Sequence, residues 1–106
     1  MASGKFIKVK WKGSNFTFGK TQSGNLIKIP AGVEIDWGDG NTETTSSESS
    51  PTHKYTDNLE FHFININKIT TIPVCMFRLC SSIIEAIIGD EIVSIGNYAF
   101  HTCSNL

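Results

Sequence analysis

The chain has 106 residues, with 9 Lys and Arg against 10 Asp and Glu, so its formal net charge is −1 at pH 7. This length holds one domain, or one small module and the start of another. The near-neutral balance argues against the basic face of a nucleic-acid binder and against polybasic contact with a membrane, and no apolar run approaches the roughly 18 residues of a spanning helix.

Met1 to Lys5 lacks the apolar core of a secretory signal. From there the first half reads as short strands punctuated by turns. Lys5 to Trp11 sets Phe6, Ile7, Val9 and Trp11 against Lys8 and Lys10, close to the period of two of a half-buried strand. Gly13-Ser14-Asn15 interrupts, Phe16-Thr17-Phe18 resumes, and Ser23-Gly24-Asn25 turns again. Leu26 to Ile29 is a short β-rich run closed by Pro30. Val33 to Trp37 alternates cleanly, and Gly38-Asp39-Gly40-Asn41 supplies residues that tolerate positive φ, a hairpin signal. Thr42 to Thr52 is rich in Ser and Thr; its start reads as strand and its remainder as exposed loop. Leu59 to Ile66 alternates once more, with Leu59, Phe61 and Phe63 opposite Glu60 and His62. No segment before residue 70 has helical periodicity, and several short strands with frequent turns suggest a sandwich.

The last third follows another rule. Displaced by 23 residues, Ile69, Ile72, Phe77, Cys80 and Ser81 fall on Ile92, Ile95, Phe100, Cys103 and Ser104. A period between about 20 and 29 residues marks a leucine-rich-repeat-like solenoid, whose units bury their apolar faces only by stacking. Leu106 falls partway through the second unit, as expected of a truncated array.

Two patterns carry a family resemblance. Ile92, Ile95, Ala99, Phe100, Cys103 and Leu106 fit the unit of BspA-type leucine-rich repeats of bacterial and protist surface proteins. Ile69, Ile72, Phe77, Cys80 and Ile83 fit in the unit before, with Met76 in place of Ala. Ile35-Asp36-Trp37-Gly38-Asp39-Gly40, followed by His53-Lys54-Tyr55, resembles the core of PKD-like domains, and more closely the "IDWGDG" modules that precede such repeats in surface proteins of gut bacteria. The resemblance implies an extracellular, surface-attached protein acting in adhesion, with a glycan or host protein as partner and no catalytic residues.

The expected architecture is therefore mainly β. A small antiparallel β-sandwich-like module over residues 1–66 serves as N-terminal cap, and the first coils of a leucine-rich-repeat solenoid follow over 67–106. Ala99-Phe100 is expected in a short helical turn.

The candidate sites are few. Asp36, Asp39 and Glu43 suggest calcium, but the spacing puts Trp and Gly where oxygen ligands belong, and turn chemistry explains the aspartates. Cys75, Cys80, His101 and Cys103 suggest zinc, yet Cys-x4-Cys and His-x-Cys miss the close pairs of structural sites; reduced, buried thiols stacked coil on coil are expected instead. A lone His53 without a Ser or Cys nucleophile is no catalytic constellation, so neither enzyme nor cofactor is expected. The aromatic residues are the strongest functional signal. Most should serve the core, but Trp11, Trp37 and Tyr55 are the candidate ligand-binding rings, with Trp11, at its strand's end, the best candidate for exposure. The rival to an adhesin-like binding module is a purely structural cap, since terminal units of a solenoid need a polar outer face. The unfinished last coil is expected to self-associate through its C-terminal face.

Overall fold

The computed structural model describes residues 4–46, 48–104 and 106. The elements in chain order are β1 (Phe6–Lys12), β2 (Asn15–Phe16), β3 (Glu34–Asp36), β4 (Thr42–Thr44), β5 (His53–Lys54), β6 (Phe61–Asn67), β7 (Thr71–Ile72), β8 (Ile83–Ile88) and β9 (Ser94–Ile95). No helix occurs among the described residues, and Ala99-Phe100 lies in a turn.

Five strands form one antiparallel sheet in the order β4-β3-β6-β1-β8. β1 is its spine, pairing with β6 from Phe6↔Asn67 to Lys12↔Phe61 and with β8 from Ile7↔Ile88 to Trp11↔Ile83. A register shift between Lys10 and Trp11 marks a bulge in the second pairing. Alternation puts Ile7, Val9 and Trp11 of β1, Ile35 of β3, and Ile64 and Ile66 of β6 on one buried face. The layer over that face is not a second sheet of similar size. It consists of the two-residue β2–β5 pair, the loops from Phe16 to Val33 and the turns of the C-terminal coils. Gly and Pro interrupt residues 13–33 too often for a long ladder, and Leu26 to Ile29 makes only isolated bridges, Lys20↔Leu26 and Ile29↔Ser49.

The expected division near residue 66 is crossed by both the sheet and the core. β8 lies in the C-terminal part yet forms the sheet edge against β1. Ile69, Ile72, Met76, Phe77 and Ile83 belong to the same apolar cluster as Ile7 and Phe16. A Cα radius of gyration of 12.8 Å matches a single packed body, for which about 13 Å is usual at this length.

The 23-residue period is a repeat of backbone geometry as well as of sequence. β7 and β9 pair in parallel, Thr71 beside Ser94 and Ile72 beside Ile95. Cys75 and Tyr98 have φ of 61° and 60°, and Leu79 and Thr102 have φ of 68° and 60°. The local turn bonds recur too. Arg78 N–H to Cys75 O matches His101 N–H to Tyr98 O, and Cys80 N–H to Phe77 O matches Cys103 N–H to Phe100 O. Between the coils, the N–H groups of Cys75, Phe77 and Leu79 donate to the carbonyls of Asn97, Ala99 and His101. Among the described residues, no helix is long and apolar enough to cross a membrane.

Candidate functional site

The sequence singles out the IDWGDG hairpin, and its polar atoms are spent locally. Asp36 Oδ1 accepts from Gly38 N–H at 3.0 Å, Asp39 Oδ1 from Asn41 N–H at 3.1 Å, and Glu43 Oε1 from Trp37 Nε1–H at 2.9 Å. The two aspartate bonds are those of Asx turns. Gly38 has φ +84°, and a Cβ there would collide with the carbonyl of Phe63, so this hairpin lies hard against β6.

Behind the hairpin four rings stack in sequence. Trp37 lies flat on His53, with 4.7 Å between centroids and 6° between planes. His53 meets Tyr55 edge-on, and Tyr55 lies flat on His62 at 3.5 Å. A carboxylate anchors each imidazole: Asp39 Oδ2 is 2.7 Å from His53 Nε2, and both Asp57 oxygens lie within 2.9 Å of His62 Nε2. Burial pulls the Asp39 carboxyl up, but its bonds to His53 and Asn41 outweigh that and hold it below the usual carboxylate range. The His62 hydrogen bond does the same for Asp57. Tyr55 donates its hydroxyl to Trp37 O at 2.6 Å, and burial together with nearby carboxylates raises its pKa.

All three candidate ligand-binding rings are therefore inside. Trp37, Tyr55 and Trp11 are 1%, 3% and 3% exposed. This corrects the expectation of exposure for Trp11, the last inward position of β1. Its ring packs on Phe16 at 4.5 Å, and Nε1–H donates to Asn15 O. The aromatics that do face solvent include Tyr98 after β9 and two residues of β6. Phe63 is 45% exposed and Phe61 half-buried, because Ile64 and Ile66 fix the strand's inward parity and take His62 in with them. Lys8 Nζ sits 5.0 Å over the Phe63 ring and Lys10 Nζ 4.5 Å over Phe61.

A second constellation lies where the N-terminal part meets the first coil (residues 69–83). Gly19 N–H donates to Met76 O at 2.7 Å. A Cβ at Gly19 would overlap Arg78 N and Cys75 O, so only glycine permits the approach. Arg78 Nη1 donates to Lys20 O and Thr21 O at 3.4 and 3.1 Å, pinning the next two residues. Phe18 packs on Phe77 at 5.9 Å, and Phe77 on Phe100 at 5.5 Å, so three rings run from the loop through both coils. The sulfurs follow the same path: Cys80 Sγ lies 3.6 Å from Thr17 O, and Cys103 Sγ lies 3.0 Å from Phe77 O. Burial pushes the Cys80 thiol up to about 12 and raises Cys103, so both are protonated thiols at neutral pH. His101 Nδ1 bonds the hydroxyl of Thr102. Among the described residues no three His, Cys, Asp or Glu side chains converge to hold a metal.

Of the residues at this seat, the sequence pointed to Phe77, Cys80, Phe100 and Cys103 through the repeat. Gly19, Phe18 and Arg78 carried no such signal, since they lie outside the period or at a position where the units differ. No protein family, curated protein or solved structure matches this chain.

Proposed function

We propose that this chain is the N-terminal cap of a stack of 23-residue coils, on an extracellular protein of the BspA-type leucine-rich-repeat kind. One observation carries the reading. Phe18 and Gly19 cover the first coil on one side much as the second coil covers it on the other, completing the ring ladder and supplying a backbone donor to Met76 O. A solenoid's first coil exposes an apolar face that a terminal unit must cover. The burial of Trp11, Trp37 and Tyr55 supports the cap over a sugar-stacking surface built on those rings.

Native-state hydrogen exchange on the Phe18→Leu variant tests it. A cap that holds the first coil predicts faster exchange at Cys75, Phe77 and Leu79, with β3 and β6 amides less affected. Unchanged protection at those three amides would remove the capping role.

An adhesin-like reading with a glycan or host-protein partner stands second. Its support is the outward face of the sheet, where Phe61 and Phe63 carry Lys8 and Lys10 over their rings. A glycan-array screen with a Phe63→Ala control tests it, and binding that ignores this substitution would dismiss that face.

A further inference from the structure

Beside the capping seat, the loop before Gly19 and the end of the first coil leave an open cleft of about 410 Å³. It falls within the size range of small-molecule sites. Two charged residues line it, Lys20 and Arg78, and both are cations. Neither has a carboxylate partner among the described residues. Arg78 is held in place through Nη1 by two carbonyls, and Nε is sealed from water without an acceptor. Nη2 has neither an acceptor among the described residues nor that degree of enclosure. The guanidinium is thus pre-positioned, with bonding capacity unspent.

The rest of the lining is neutral and of two kinds. Leu79, 49% exposed, contributes apolar surface beside the buried Trp11 and Phe18, while Asn15, Thr17 and Ser82 contribute amide and hydroxyl groups. Cys80, also in the lining, stays an uncharged thiol and does not repel an anion. A ligand that uses all three parts carries a negative charge, several hydroxyls and an apolar ring face.

We propose that this cleft binds a carboxylated sugar of hexuronate type. Arg78 and Lys20 take the carboxylate, the amide and hydroxyls take the ring hydroxyls, and the Leu79 side chain takes the ring's apolar face. The cleft's openness and the solvation of Lys20 keep affinity weak, with Kd in about the millimolar range. The proposal does not depend on the capping role, since a cap needs no ligand.

The test is a nuclear magnetic resonance titration of the full chain with galacturonate, galactose and acetate in parallel. Galacturonate should give saturable shifts at the Trp11 indole N–H and the Ser81 and Ser82 amides. Galactose should bind at least about tenfold more weakly, the usual cost of one lost charge-assisted hydrogen bond. Acetate should also bind more weakly than galacturonate. Lys20→Gln, at an exposed position, should weaken galacturonate several-fold while the remaining spectrum stays native. Arg78→Gln should weaken it further. Equal binding of galactose and galacturonate overturns the charge recognition. Acetate binding as tightly as galacturonate overturns the sugar recognition. Absence of saturable shifts, or shifts centred elsewhere, overturns the site.

Discussion

Gly19 and Met76 are 57 positions apart in sequence, and the backbone N–H of one donates to the carbonyl of the other at 2.7 Å. The bond requires contact between two main chains with no Cβ between them. Gly19→Ala should therefore cost about 1–3 kcal/mol, the range for forcing an extra methyl into packed structure. Gln22→Ala, at an exposed position in the same loop, should stay within about 0.5 kcal/mol. Chemical denaturation of the two variants checks this, and equal midpoints would mean that the loop yields without loss.

Acid should unfold the protein through the ring stack. Asp39 and Asp57 both have folded pKa values below the ordinary 3.8. Their contribution is complete above the unfolded value and disappears as pH falls through the folded value. Stability should thus be insensitive to these groups at neutral pH and fall steeply below about pH 4. Asp39→Asn should flatten that fall in a pH series of melting temperatures. An unchanged slope in this variant would show that other carboxylates govern acid unfolding.

The thiols should react in a fixed order. Cys103 is half-buried, whereas Cys75 and Cys80 are 2% and 7% exposed. With the Cys80 thiol pushed up to about 12, its thiolate is scarce at pH 7.5. Native-state labelling should modify Cys103 first and Cys80 only on opening. Labelling at three similar rates would contradict this burial pattern.

The outer face of the second coil should be adhesive. Val93 is 79% exposed, Ile95 51%, Tyr98 46% and Leu106 52%. The N–H groups of Tyr98, Phe100 and Thr102, equivalents of the donors that bind coil to coil, have no acceptor among the described residues. Light scattering should show self-association that rises with concentration, and Val93→Lys with Ile95→Lys should reduce it several-fold. A monomer at high concentration would show that the exposed side chains are insufficient. A twofold arrangement would set this donor row against itself, so a head-to-tail contact is favoured.

Much of the sheet was legible because its strands obey a period of two. The sequence reading placed strands near β1, β3, the start of β4 and β6, and the 23-residue displacement aligns Ile72 with Ile95, which pair in the structure. The facing of β6 was not legible from Phe61 and Phe63. Both strand faces carry large apolar residues, and only the packing of Ile64 and Ile66 decides between them. β8 escaped notice because Ile84-Glu85-Ala86-Ile87-Ile88 lies between repeat matches and pairs with a strand some 75 residues earlier, Lys10 beside Glu85. The left-handed positions Cys75, Leu79, Tyr98 and Thr102 were hidden as well, since none is a residue type that favours positive φ. The contact of Phe18 and Gly19 with residues 75–78 was the least legible part, because it joins residues without shared spacing.

The pairing of β1 with β8 also fixes how the molecule bears tension. Ile7 sits beside Ile88, Gly89 N–H donates to Phe6 O, and Glu91 N–H donates to Gly4 O, so the chain enters and leaves this strand pair at the same end. A pull applied at Gly4 and beyond Glu91 opens the pair like a zipper: each hydrogen bond carries the load in turn, where a shearing pull would load them all together. The edge that ties the coils to the sheet is therefore mechanically soft along the direction of the chain, however well its core is packed.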